Sequence, residues 1–316
     1  MKKIIFVFCA VMAVGVGTYA QQKKGFYIKP VASYFTKVTP VEFPNVGSLQ
    51  PRETVLSLNP TTGKTTQVSD RTITGSFGQG TRFGLTLGYQ FNDVVGFEFT
   101  GNYYNSTEQL MAQQTVNVGS APYLTLKSVG KVVAYDIAPT LVLNIPTDSK
   151  IKPYARIGVI LPVGGYLEIT TDVNDKTGAI AATLNPAFKA VSLTRTERVK
   201  ANPTIGFTSG LGLNFQITKN IALATELEYR NISISSKSKE LTVFNATGTL
   251  ANGTAVPVGL SNLPYSTVNT TYVKELTQTS NVAGNTGFDS TKAGNDLTSY
   301  INIGGLGFSV GLKIGF

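Results

Sequence analysis

Apolar and polar residues alternate along much of the chain, and the alternation is clearest in the segment 306–316. Every second residue there is apolar, and the residues between are three glycines, Ser309 and Lys313. The apolar residues are Leu306, Phe308, Val310, Leu312, Ile314 and Phe316. Side chains of a β-strand point alternately to its two faces, so we predict a strand with one apolar face. The glycine-rich face favours a crowded concave interior over a solvated surface.

Seven further segments show the same alternation, which gives eight predicted strands. They cover residues 25–36, 82–91, 95–103, 133–143, 155–161, 205–215 and 221–230, followed by 306–316. Eight is the smallest number of strands known for a closed outer-membrane barrel. The pattern therefore predicts an all-β fold, an eight-stranded antiparallel barrel.

The connections between these strands are alternately short and long. The short ones are 92–93, 145–151 and 216–220, and the long ones are 37–78, 106–127, 170–197 and 237–298. An up-and-down transmembrane barrel has this arrangement, with tight periplasmic turns and longer external loops. The four long segments are rich in Thr, Asn, Ser and Gly and have few apolar residues, so we predict exposed, partly mobile loops without a core.

The N-terminus has the layout of a secretory signal peptide. Lys2 and Lys3 precede an apolar run that extends to Val16, and Ala20 offers a small residue for cleavage. We therefore expect residues 1–20 to be removed on export, which leaves 21–316 as the barrel with its four external loops. A retained helical anchor is the alternative.

Composition excludes several kinds of chemistry. The 316 residues contain no His and one Cys, Cys9, so Ser–His and Cys–His nucleophiles and zinc sites built on Cys and His are excluded. The net charge is +9, but Lys and Arg are scattered rather than clustered, which argues against nucleic-acid binding. We predict no catalytic, cofactor or metal site.

Charged residues occupy the face opposite to the apolar one. If the apolar faces meet lipid, five cations and four anions point into the barrel, namely Lys29, Arg82, Glu98, Asp136, Arg156, Glu226, Glu228, Arg230 and Lys313. A buried charge without a partner costs several kcal/mol, and an eight-stranded barrel has room for little more than side chains. We therefore predict a network of salt bridges that fills the interior. A narrow selective pore lined by these charges is the alternative.

Two carboxylates of this set, Glu226 and Glu228, are two residues apart on one strand face. Side chains so placed are about 7 Å apart, a separation compatible with an inverting glycosidase. No substrate cleft is indicated, and Arg230 is an adequate structural partner. We interpret the pair as structural.

Aromatic residues near the predicted strand ends fit the two girdles of a membrane barrel. They are Tyr34, Tyr89, Phe91, Tyr103, Tyr154, Tyr229, Tyr300 and Phe316.

The chain resembles the small OmpA/OmpX-like outer-membrane barrels of Gram-negative bacteria, on the strength of its signal segment Met1 to Ala20 and its last strand, Tyr300 to Phe316. The resemblance implies an outer-membrane location, contact with outer-membrane lipid, and recognition of the last strand by the barrel-assembly machinery. The enzymes of this family use sites that contain His, which this chain lacks, and its predicted loops are longer than those of the smallest members.

Loop length and the lack of catalytic residues lead to a functional hypothesis. We expect a non-enzymatic scaffold whose loops serve adhesion, recognition or assembly with a surface or membrane-protein partner. Two alternatives remain open, a narrow pore for small solutes and a soluble lipocalin-like carrier. The carrier would have apolar side chains inside and polar ones outside.

Overall fold

The computed structural model describes residues 24–38, 40–202 and 204–316, so the predicted signal peptide lies outside the described residues. Nineteen strands, a short 3-10 helix and two four-residue helices are present in this part, and no helix there is long and apolar enough to span a membrane. The strands are β1 (Gly25–Thr36), β2 (Val41–Glu42), β3 (Arg52–Leu58), β4 (Thr65–Thr72), β5 (Thr74–Gly75), β6 (Gly80–Gln90), β7 (Val95–Ser106), β8 (Gln109–Val118), β9 (Ala121–Asn144), β10 (Ile151–Asp175), β11 (Phe188–Ala201), β12 (Gly206–Gln216), β13 (Ile221–Asn231), β14 (Ser233–Leu250), β15 (Ala255–Gly259), β16 (Asn269–Val273), β17 (Gly294–Leu297), β18 (Tyr300–Asn302) and β19 (Gly305–Gly315). The helices are Ala181–Leu184, Leu260–Asn262 and Tyr265–Val268.

A ring of antiparallel pairings organises the sheet. Around it the order is β1, β6, β7, β9, β10, β12, β13 and β19, and β19 pairs again with β1. We call these eight strands the ring. They lie at the positions of the eight predicted strands, and short turns join β6 to β7, β9 to β10 and β12 to β13. The described residues hold eleven strands more than the eight expected.

The two faces of the ring have opposite character. On β6 the side chains of Phe83, Leu85 and Leu87 are exposed, whereas those of Arg82 and Thr86 are buried. An outer surface of apolar side chains around a polar interior suits a hydrocarbon environment. A soluble carrier would have apolar side chains inside and polar ones outside, so the structure argues against that alternative.

The long connections are strands rather than irregular loops. The segments 40–75, 109–132, 164–202 and 233–302, here called the extension, contain β2–β5, β8, β11 and β14–β18 together with the ends of β9 and β10 that leave the ring. In consequence β9 and β10 reach 24 and 25 residues. The prediction of exposed loops without a core is wrong, because the extension encloses a cluster of buried apolar residues. They are Val116, Leu124, Leu126, Val173, Ala181, Phe188, Val191, Leu193, Leu241, Phe244 and Ala246.

A second apolar cluster joins the extension to the ring. Its most buried members are Phe77, Met111 and Ile160, and it includes Tyr104 and Ile232. The Tyr104 hydroxyl donates a hydrogen bond of 2.6 Å to the carbonyl oxygen of Phe77. The interior is therefore layered, with charged groups inside the ring and apolar groups above them.

Glycines of the ring make room for buried aromatic rings on the neighbouring strand. Tyr27 faces Gly88 across β1 and β6, and Tyr154 faces Gly212 across β10 and β12. A Cβ atom at Gly212 would lie 2.4 Å from the Tyr154 ring. This close approach explains why the interior face of the strands is so rich in glycine.

Replacing Gly212 by Leu should therefore lower the free energy of unfolding by about 1–3 kcal/mol, because the added side chain forces the Tyr154 ring aside. Urea unfolding in lipid vesicles, followed by the gel mobility of the folded band, measures the change. The matched control is Gly101→Leu on β7, where a Cβ atom meets nothing within 4 Å. Equal losses in both variants would contradict the packing argument.

Candidate functional site

The nine charged residues predicted to face the interior all lie inside the ring. Eight of them are buried, and Lys313 is half-buried. They come from seven strands, and each side chain faces inward because it alternates with an outward apolar residue. The eight buried residues are Lys29, Arg82, Glu98, Asp136, Arg156, Glu226, Glu228 and Arg230.

Arg156 is the centre of the charged network. Its Nη2 atom lies 2.8 Å from Oε1 of Glu226 and 2.9 Å from Oε2 of Glu228. Arg82 holds Glu228 from the other side, with Nη1 donating to Oε1 at 2.6 Å, and the Thr208 hydroxyl donates to the same oxygen at 3.0 Å. Both carboxylates of the candidate pair are therefore bound by guanidinium groups.

A third carboxylate, Glu98, lies nearer the short turns. Lys29 donates to its Oε1 atom at 2.6 Å, and the Tyr27 hydroxyl donates to the same atom at 2.9 Å. The Lys313 ammonium lies 3.9 Å from the centre of the Tyr27 ring. Lys313 thus joins the group through a cation–π contact.

Asp136 and Arg230 form the part of the network nearest the extension. Arg230 Nη2 donates to Oδ2 of Asp136 at 2.6 Å, and Asn102 donates to Oδ1 at 2.8 Å. The pair closes the charged layer below the apolar cluster that contains Tyr104.

The network leaves little free volume and no pair of free carboxylates. A cavity of about 10 Å³ lies among Lys29, Arg156 and Glu226, which is room for about one water molecule. In the part of the chain that the structure describes, no group of three or more His, Cys, Asp or Glu residues could hold a metal ion. This geometry serves packing and charge compensation better than acid–base chemistry.

Two tyrosines of the network were not predicted from the sequence to point inward. Tyr154 is 4% exposed, so its predicted place in an aromatic girdle is wrong. The alternation indicates this place, because Tyr154 lies two residues before Arg156 and therefore on the same, inward face of the strand. Tyr27 follows the same rule, since it alternates with Phe26.

The extension holds a further buried ionic group. Glu197 is buried on β11, 3.2 Å from Nζ of Lys239 and 3.7 Å from Nη2 of Arg195. This group was not predicted, because the segments that contain it were interpreted as loops, for which no inward or outward direction was assigned to the side chains.

The last strand of the chain closes the ring. β19 pairs with β1 and β13, and its outward side chains are mostly exposed. Those side chains are Leu306, Phe308, Val310, Leu312 and Ile314, of which Ile314 is half-buried, and the exposed Phe316 follows the strand. The strand is thus an ordinary member of the ring in the folded protein.

A family described as outer membrane protein beta-barrel domain matches residues 6–261, about four fifths of the chain. No curated protein is significantly similar in sequence.

Three solved structures align with the chain at low TM-scores. Neisserial surface protein A has a TM-score of 0.34 and 13% identity, with 92% of this chain and 97% of that chain covered. OprG from Pseudomonas aeruginosa has a TM-score of 0.38 and 13% identity, covering 94% and 98%. Outer Membrane Protein W from E. coli has a TM-score of 0.30 and 12% identity, covering 93% and 99%.

Proposed function

The chain belongs to the outer membrane protein beta-barrel domain family, and from this we propose that the eight strands of the ring cross the outer membrane as a closed barrel. The apolar outer face of these strands supports the proposal, as does their length of 11 or more residues, since about 9–11 residues suffice to cross when tilted. The short turns then lie in the periplasm, and the extension projects from the cell surface.

We propose that this barrel is a non-enzymatic scaffold rather than a pore. The observation that carries the proposal is the filled interior, in which ion pairs occupy the ring and apolar residues occupy the layer above. An ion would have to displace both layers to pass. Hydrated ions need a continuous aqueous path, and only barrels with many more strands are wide enough to contain one.

The extension is the part best suited to recognition. Its own apolar core and strand pairings hold it in one shape, so a partner meets a preformed surface and little conformational entropy is lost on binding. We propose a surface ligand or another membrane protein as the partner. Within this proposal, β19 is the strand that the barrel-assembly machinery recognises.

A planar bilayer tests the choice between scaffold and pore. We expect the purified protein to insert without discrete conductance steps, while its gel mobility shifts on boiling as that of a closed barrel does. A large porin in the same bilayer is the positive control. Steps that change with Arg82→Gln or Glu226→Gln would establish the pore instead.

A further inference from the structure

A cavity of about 140 Å³ lies where the ring meets the extension. Its inner wall is formed by Val132, Ala134, Leu167, Val199 and Ile234, all of them buried apolar residues. An engineered cavity of about 150 Å³ with an aliphatic lining binds benzene, so this one has room for about six carbon atoms of an apolar chain.

The cavity lies at an irregularity in the barrel wall. β10 pairs with β12 as far as Ile160 and with β11 from Tyr166 onward. Its register with β9 shifts between Pro162 and Gly164. A strand that changes partner on one edge and register on the other cannot keep a regular ladder, so the wall is interrupted here.

The lining includes residues from both sides of this wall. Val132 and Ala134 face inward, whereas Val163 is 64% exposed on the outer surface and also lines the cavity. The site lies at the height of Tyr103 and Tyr135, outward aromatic residues whose ring centres are 5.4 Å apart. Its outer opening is therefore continuous with the lipid-facing surface of the ring.

Polar side chains line the cavity beside its apolar wall. Lys200 is exposed beside Tyr166 and has no ion-pair partner within 4.0 Å among the described residues, and Ser235 and Asn202 lie near it in the lining. Tyr272 lines the cavity from the extension, where burial, with the charges of Asp296 and Glu197, raises the pKa of its hydroxyl. This hydroxyl is neutral and available as a donor.

We propose that the cavity binds a segment of about six carbon atoms of one acyl chain of a phosphate-bearing membrane lipid. The lipid enters from the side between β10 and β11 and places its headgroup on Lys200, and the rest of the chain stays in the hydrocarbon region outside the wall. An apolar interior that opens to the hydrocarbon region, with a cation at its rim, matches an anionic amphiphile rather than a water-soluble ligand. The charged network below prevents the chain from passing into the ring. This inference rests on the membrane placement proposed above.

Native mass spectrometry of the full chain in a neutral detergent tests the inference. Dioleoyl phosphatidylglycerol and dioleoyl phosphatidylcholine are the two probes, and toluene is the small apolar competitor. Ala201→Phe fills the cavity from β11, and Gly164→Leu blocks the opening, where a Cβ atom would meet only the Tyr135 ring at 3.8 Å. Lys200→Gln removes the rim charge. The matched controls are Gly101→Phe on the outward face of β7 and Lys189→Gln at an exposed position of β11.

We expect the wild type and both control variants to retain one phosphatidylglycerol. Filling or blocking the cavity should weaken retention of both lipids at least tenfold, and Lys200→Gln should weaken only that of phosphatidylglycerol. A barrel that shifts on boiling but retains no lipid overturns the inference, as does equal loss in the controls. Displacement of bound lipid by micromolar toluene would assign the cavity to small apolar molecules instead. Absence of the heat shift in the wild type would refute the membrane placement, a separate failure.

Discussion

Replacing Glu228 by Gln is expected to lower the free energy of unfolding by about 3–5 kcal/mol, the largest effect of a single polar substitution in the ring. Glutamine keeps the shape of the side chain but removes the charge that Arg82 and Arg156 share. Glu228 is the carboxylate of the network that binds Arg82, and 1% of the residue is exposed. Water therefore cannot solvate the guanidinium group that loses its charged partner.

Urea unfolding in vesicles, followed by the heat-dependent gel shift, measures this loss. The matched control is Glu168→Gln in the extension, where Glu168 accepts a hydrogen bond of 2.8 Å from Nε of Arg198 on a solvated face. Exposed pairs contribute about 1 kcal/mol or less. If both variants lost the same small amount, the ring network would not be what stabilises the interior.

Replacing Phe188 by Ala is expected to destabilise the extension by about 3–5 kcal/mol while the ring stays folded. Phe188 is buried in the apolar cluster of the extension and packs on Gly248, where a Cβ atom would lie 2.3 Å from its ring. Removing the phenyl group opens a cavity between the paired strands β11 and β14.

Limited proteolysis of whole cells measures this second effect. We expect the variant to be cleaved within the extension at a protease concentration that leaves the wild type intact, while its gel shift on boiling persists. Phe288→Ala is the matched control, because Phe288 is exposed in the segment between β16 and β17. Simultaneous loss of the gel shift would show that ring and extension fold as one unit.

The ring could be predicted from the sequence because each of its strands has different environments on its two faces. Period-two alternation then identifies both the strand and the direction of every side chain, as at Arg82 and Phe83. The same rule places Tyr154 inside, and the error there came from judging the residue by type rather than by its position in the alternation.

The extension could not be predicted, because no single segment of it has enough apolar residues to show a core. Leu124 and Leu126 on β9, Val191 on β11 and Phe244 on β14 become a cluster only when the strands pair. Thr and Asn between these residues gave the segments the composition of loops. Pairing over long sequence separations is a tertiary property.

By itself the sequence determined that the chain is built from antiparallel strands, which charges point inward, and which side chains form the apolar outer face, because the direction of a side chain follows from the periodicity of its own strand. Only the tertiary structure decided which charges pair, since Arg82 and Glu228 are 146 residues apart along the chain. It also decided that the long connections continue the sheet and that the wall is interrupted where β10 changes partner. These features depend on distances between strands, and periodicity within one strand contains no information about its neighbours.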